Sequence, residues 1–307
     1  MSETIAVVTG ATGHQGGATA RELLNAGAKV RAFVRNPSSK AAIELQRLGA
    51  ELFTGSFDDL SSVKAVTKGA TAVFLNVSPT PQDSQLELHH AKNIIDASVE
   101  SGTVTSVVYS SVTMTGKHES FPNWGPEYPL RWYWLNKSEI ESMVRKSGIK
   151  HWTILRPAFL MNNYHQPTAN FMFPGLGAKK VFLTAYKPNC AMTMIDPGDV
   201  GKFAAAAITK PESYNTHEID LGVEALVPAQ IVQALSRISG QDINLQFYTK
   251  QELTVLIPRM PVLPAQLWSN DVGYQVNFKE LEKYPIRLTK FSEYLEKHRD
   301  EVGKTFA

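Results

Sequence analysis

Tyr133 and Lys137, four residues apart, are the pair in this chain best suited to moving a proton. Residues at i and i+4 share one face if the segment is helical. A phenol can give or take a proton, and a neighbouring ammonium lowers its pKa. Ser110, Ser111 and Thr113 precede Tyr133 by 20 to 23 residues and bring hydroxyls that could hold a reacting oxygen. The residues leave Ser111 and Thr113 both open for that role. A plainer reading also fits: Trp132, Tyr133 and Trp134 pack as an aromatic cluster, while Lys137 and Glu141 form a surface ion pair one turn apart.

A second constellation opens the chain. Gly10-Ala11-Thr12-Gly13-His14-Gln15-Gly16-Gly17 follows the apolar run Ile5 to Val8 and precedes a segment of helical spacing. A glycine at position 10 permits a tight turn, Gly13 lets backbone approach a pyrophosphate, and Gly16 lets helix and strand pack closely. The helix N-terminus then offers N–H groups and a partial positive charge to phosphate. Gly-rich spacing alone is a weak signal, but its place between strand and helix is the context that dinucleotide binding requires. The alternative is a turn that is merely structural.

The end of the second strand selects the dinucleotide. An Asp or Glu there holds a ribose 2′-hydroxyl. This chain has Arg35, then Asn36, Pro37, Ser38, Ser39 and Lys40, with no acid between Glu22 and Glu44. A guanidinium holds a 2′-phosphate by two parallel hydrogen bonds, so NADP(H) is expected over NAD(H). The alternative is a solvated surface cation. Ser56 and Phe57, after the third strand, are placed for an adenine pocket, while Asp58 or Asp59 is suited to cap the next helix. Asn76, Val77 and Ser78 end the fourth strand and should pass the cofactor ribose. His89 and His90, one helix on, read as surface or packing residues, with a cofactor contact open.

These residues need elements to hold them. Apolar runs at Ile5–Val8, 29–34, 51–54, 72–77, 106–110 and 152–155 alternate with helical spacing at 18–26, 39–48, 60–67, 86–101 and 137–147. Repeated β-α units predict an α/β fold of the Rossmann type, a doubly wound parallel sheet with its ligand at the carboxyl ends of the strands. Residues 162–194 are rich in Asn, Pro, Gly and aromatics and read as loops over a site. Helical spacing returns at 199–208, 228–239 and 291–304. The expected domains are 1–155, binding NADP(H), and 156–307, a smaller C-terminal α/β lobe for substrate or partner, packed on the first with some chain interchange.

Composition excludes several classes. A formal net charge of +2 over 307 residues argues against direct nucleic-acid or anionic-membrane binding. No run of about 18 apolar residues is present, and Met1-Ser2-Glu3 leads into a strand rather than a signal peptide. Cys190, the only cysteine, allows no intrachain disulfide or Cys-rich metal site and reads as a small, partly buried residue. No metal is expected. A reducing, cytoplasmic setting follows, with nuclear access open.

Taken together, the residues resemble the NmrA-like family of atypical short-chain dehydrogenases/reductases. The resemblance rests on Gly10 to Gly17 with Gln15 and the doubled glycine, on Val34-Arg35-Asn36-Pro37, on Leu155-Arg156-Pro157-Ala158-Phe159-Leu160-Met161-Asn162-Asn163-Tyr164, and on Ile195-Asp196-Pro197-Gly198-Asp199-Val200-Gly201. It spans the whole chain. It implies an NADP(H)-binding Rossmann domain with a smaller C-terminal lobe, with Lys137 at the nicotinamide ribose and Pro157, Ala158 and Phe159 passing the nicotinamide. Trp124, Phe159, Tyr164 and His165 are then candidates for a substrate pocket, with ordinary aromatic core as the alternative. Many members bind the cofactor without turnover and act as redox sensors or transcriptional co-regulators through a protein partner, whereas others are reductases. Tyr133, Lys137 and the hydroxyls together tilt the reading towards an NADPH-dependent reductase of a small organic carbonyl or activated double bond. Residues 111–116 do not align cleanly with the catalytic-serine segment of extended reductases.

Overall fold

The computed structural model describes residues 3–307. Contacts divide the chain into two compact units. The first comprises residues up to Gly116, Trp132–Arg156 and Pro197–Asp220; the second comprises Lys117–Arg131, Pro157–Asp196 and Leu221–Ala307.

The first unit is a seven-stranded sheet with flanking helices. Its strands are β1 (Ile5–Val8), β2 (Lys29–Val34), β3 (Glu51–Thr54), β4 (Ala72–Leu75), β5 (Ser106–Ser110), β6 (His151–Pro157) and a last strand at His217–Leu221. The order is His217–Leu221, β6, β5, β4, β1, β2, β3. Every pairing from β3 to β6 is parallel, with Val8 opposite both Ala32 and Phe74. This is the doubly wound Rossmann arrangement. The order reverses between β1 and β4, so a crevice for ligand opens where Gly10 and Asn76 leave the sheet. Strand character follows position: Ala72–Leu75 is buried throughout as a central strand, whereas Glu51–Thr54 at the edge is exposed at both ends and half-buried between them.

Five helices connect the strands: α1 (His14–Asn25), α2 (Lys40–Arg47), α3 (Leu60–Thr67), α4 (Leu86–Glu100) and α5 (Arg131–Lys146). On one face of the sheet Val7, Val73 and Val107 meet Val66, Ile94 and Ile140 in a single core. On the other, α1 packs on the helix Pro197–Thr209. That approach is close enough that a Cβ on Gly201 would fall 2.7 Å from Ala18.

Two helices carry charge on their buried stripes. In α4 the buried residues Glu87, Ala91, Ile94 and Ser98 follow helical spacing; in α5 Lys137, Ile140, Glu141 and Val144 do. Charges so placed must be paired.

The second unit holds a three-stranded sheet ordered Glu224–Leu226, Met192–Ile195, Phe159–Leu160 and a parallel pair, Asn244–Phe247 with Val181–Thr184. Its core is aromatic: Tyr164 lies flat on Phe173 at 5.3 Å, with Phe182 and Phe291 around it.

Three expectations change. The first helix begins at His14 rather than residue 18, because the glycines that weaken its sequence signal are themselves helical. Residues 162–194 hold two strands and a short helix, not loops alone. The segment 291–304 is two helices, parted at His298, whose backbone leaves helical geometry.

Candidate dinucleotide site

β1 ends in a buried run, and the chain then turns at Gly10, which takes a φ of +60° that L side chains rarely adopt. A Cβ there would also lie 3.3 Å from the Asn76 amide. Gly16 has a harder constraint: its Cβ would stand 2.3 Å from the Gly10 carbonyl oxygen. Helix α1 and the turn are therefore in backbone contact. Gly13 is the N-cap of α1 and provides no side-chain cap, and the first turn carries no acid. The first-turn N–H groups of a helix lack intrahelical partners, so this end is left to an external acceptor. Ala11 is buried, while Thr12, Gly13 and His14 are exposed around it.

The floor of the turn is hydrogen-bonded. The Thr9 hydroxyl donates to the Phe74 and Asn76 carbonyls and accepts from the Asn76 amide at 2.7 Å, joining the ends of β1 and β4. Val77 is buried and Ser78 exposed. Ser110 at the end of β5 donates to Gln15 Oε1 at 2.6 Å. One of the sequence's hydroxyls thus positions the glycine turn.

Beyond β2, Arg35 and Lys40 are both exposed, and neither makes an ion pair among the described residues. The loop between them is fixed locally. Asn36 Oδ1 accepts from the Ser38 amide at 3.0 Å, and Ser39 caps α2 through the Ala42 amide at 3.3 Å. This short loop carries two exposed cations and leads into a helix N-terminus, a donor set suited to a phosphate monoester. After β3, Asp59 caps α3, and the Phe57 ring packs between Phe33 at 5.6 Å and His90 at 5.0 Å. His90 meets Asp58 at 3.1 Å, and Ser56 keeps its hydroxyl off the cap, lending only its carbonyl to Ser62. Of the two roles foreseen for this turn, the helix cap is present, on Asp59.

Tyr133 and Lys137 share α5, but the ammonium is not solvated. Lys137 is 4% exposed and binds Glu87 Oε1 at 2.6 Å; Glu87 is 0% exposed, and its Oε2 has no hydrogen-bond partner among the described residues. The ammonium sits 5.6 Å from the Tyr133 ring centroid and 5.9 Å from that of Tyr109. Burial first, and then the charge of Glu87, hold the Tyr109 phenol well above its usual range. Tyr133 itself is half-buried, edge-on to Trp132 and Trp134.

The surface pair expected between Lys137 and Glu141 does not form. Glu141 is buried and accepts from Arg145 and Arg156, which also bind Glu218, all at 2.5 to 2.8 Å. Burial works against the Arg156 charge, but its bond to Glu141 and the nearby carboxylates more than offset this and raise its pKa. The remaining hydroxyls are engaged: Thr113, fully buried, donates to Asp220 at 3.2 Å, and Ser111 meets Thr115 at 3.3 Å. Glu87 was missed by sequence reading. Its signal was an acid in register with the apolar stripe of α4.

In the second unit Pro157, Ala158 and Phe159 are buried, and the Phe159 ring lies against Tyr164 at 5.4 Å. Tyr164 is fully buried in the aromatic core, and His165 is held by the Tyr294 hydroxyl at 2.6 Å. Trp124 is half-buried against His118 and Tyr128, both at 4.8 Å. Cys190 is buried, its thiol on the Ser269 carbonyl, and burial raises its pKa.

Known proteins share this organisation. The family model for the NmrA-like family matches residues 1–295. The NmrA-like family domain-containing oxidoreductase cpsB of Aspergillus campestris is 30% identical, over 94% of this chain and 88% of its own. An NADPH-dependent quinone oxidoreductase of Escherichia coli, solved with NADPH, superposes with a TM-score of 0.75 at 21% identity, covering 96% of this chain and 99% of that one. NmrA, a negative transcriptional regulator solved with NADP, gives 0.73 at 21% identity, covering 99% and 98%. The last two similarities show a shared fold, and the match of the family model along most of the chain places this protein in the NmrA-like family.

Proposed function

We propose that this protein binds NADP(H) and uses it to reduce a small organic carbonyl or activated double bond. One observation carries the cofactor reading: a bare helix N-terminus behind glycines that admit no side chain, with Arg35 and Lys40 exposed after the second strand and in no ion pair among the described residues. Gly10, Ala11, Thr12, Gly13, His14, Gln15 and Gly16 would cradle the pyrophosphate. Arg35, Ser39 and Lys40 would hold the 2′-phosphate, Ser56 and Phe57 the adenine, and Asn76, Val77 and Ser78 the adjoining ribose. Pro157, Ala158 and Phe159 would border the nicotinamide, whose reduced form supplies a hydride when bound.

The chain's own residues supply the rest. Tyr133 donates the proton to the substrate. Lys137, held by Glu87, keeps positive charge beside the Tyr133 ring and so favours loss of the phenolic proton. Ser111, only slightly exposed, or Thr113, fully buried, would hold the substrate oxygen. The related NADPH-dependent quinone oxidoreductase and the related oxidoreductase cpsB support the enzymatic reading.

A second reading is a catalytically silent NADP(H) sensor that acts through a protein partner. It is favoured by a specific observation: Lys137 is committed to Glu87, Ser110 to Gln15 and Thr113 to Asp220, so little of the set is free for a substrate. NADPH oxidation with a panel of quinones, aldehydes and enones separates the two. Turnover that falls at least about tenfold in Tyr133→Phe supports the reductase. No oxidation with any acceptor, despite NADPH binding, supports the sensor.

A further inference from the structure

The second unit has a cleft that neither the dinucleotide site nor Tyr133 uses. It lies between residues 122–129 and the helix Val262–Asp271 and encloses about 490 Å³, a volume within the usual range for small-molecule sites. Its walls are Tyr128 and Trp268 with Pro126 and Pro264, and it carries two carboxylates, Glu127 and Asp271. No Lys, Arg or His is among its lining residues.

The rings are braced from behind: Phe121 stands 6.1 Å from Tyr128 and 5.9 Å from Trp268, and Trp124 lies 4.8 Å from Tyr128. Burial first, and then the charge of Asp271, raise the Tyr128 phenol, so this ring stays neutral and its face electron-rich. Asp271 also meets Lys187 at 3.3 Å, but both side chains are more than half exposed, and such pairs exchange readily for another cation.

We propose that this cleft binds a flat aromatic organic cation. The prolines and rings take the planar body without the entropy cost of ordering flexible side chains. The ring faces attract a cation, and Asp271 and Glu127 complete the charge match. A neutral body of the same shape forgoes the charge terms, and an anion is repelled. The assignment rests on the second unit alone and stands whether or not the protein turns over its cofactor.

The probe is 9-aminoacridine, cationic at pH 8, titrated by calorimetry and fluorescence against acridine, which is neutral there and of nearly the same shape. The cation should saturate one site and bind roughly tenfold or more tightly than acridine. Asp271→Asn and Glu127→Gln should each weaken the cation about threefold or more and leave acridine unchanged. Tyr128→Leu should weaken both, and saturating NADPH should not displace the probe. Equal affinity for the two probes, cation affinity unmoved by both charge variants, or displacement by NADPH would each overturn the proposal. Thermal unfolding of every variant shows whether it is folded, and the surface changes Asp271→Asn and Glu127→Gln keep the test available if Tyr128→Leu is not.

Discussion

A single methyl group at position 16 would collide with backbone, not with a side chain able to swing away. Gly16→Ala should therefore cost about 1–3 kcal/mol in urea unfolding, with a parallel loss of NADPH affinity. Arg35 tests the opposite end of the same site. Removing a charge-assisted contact to a 2′-phosphate costs about 1.5–3 kcal/mol, so Arg35→Ala should weaken NADPH roughly ten- to a hundredfold and leave NADH nearly unchanged. The Lys137–Glu87 pair behaves differently, because both charges are buried. Lys137→Met strands the carboxylate and should destabilise by about 3–5 kcal/mol, while Lys137→Met with Glu87→Leu should recover most of the loss. An unrecovered double variant would mean that the pair does not act as a unit. At this scale the glycine turn and Arg35 were legible because each answers to backbone geometry or to its own exposure. The partner of Lys137 was not, since 50 residues separate it from Glu87 and only the packing of α4 on the sheet brings the two together.

Elements were legible where their signals are local. β3, α3 and β5 begin and end where the hydrophobic pattern places them, and so does the helix Pro228–Ser239, which opens on a proline and stops at Gly240 with a φ of 69°. Where signals compete, the reading slips. Gly16 and Gly17 mask the first turn of α1, and the aromatic run at 132–134 hid the start of α5 at Arg131. The strands Val181–Thr184 and Met192–Ile195 were lost among the Asn, Pro and Gly residues that surround them. The ion network joining α5, β6 and the last strand makes a prediction at this level. Burial tends to raise the Glu218 pKa, but bonding to Arg145 and the charges of Arg156 and Arg145 outweigh it and hold it below 4.5. A carboxylate depressed in the folded state adds stability above its unfolded value and loses it as pH falls through the folded one. Thermal melts of wild type and Glu218→Gln should differ most near neutral pH and converge as the pH falls through the lowered folded-state pKa of Glu218. A difference that persists undiminished in acid would show that Glu218 acts through packing rather than charge.

The whole molecule has two units, and only the first carries the glycine turn. The doubly wound order of its sheet sets Gly10, Asn76 and Ser110 at the carboxyl ends of neighbouring central strands, which is why residues scattered over a hundred positions make one cradle. No helix among the described residues is long and apolar enough to cross a membrane. If the cradle is the NADP(H) site, ligand binds the folded chain and not the unfolded one. NADPH at a hundred times its Kd should then stabilise the protein by about 2.7 kcal/mol, read as a concentration-dependent rise in Tm. The second unit, with its aromatic core, was the harder one to read, since rings that pack a core and rings that line a pocket look alike in sequence. Tyr164 and Tyr128 illustrate the two outcomes. The most direct test of the account is a calorimetric titration of the purified protein with NADPH and, separately, with NADH. One site with NADPH bound at least about tenfold more tightly is predicted from the free Arg35 and Lys40. Equal or tighter binding of NADH would contradict it.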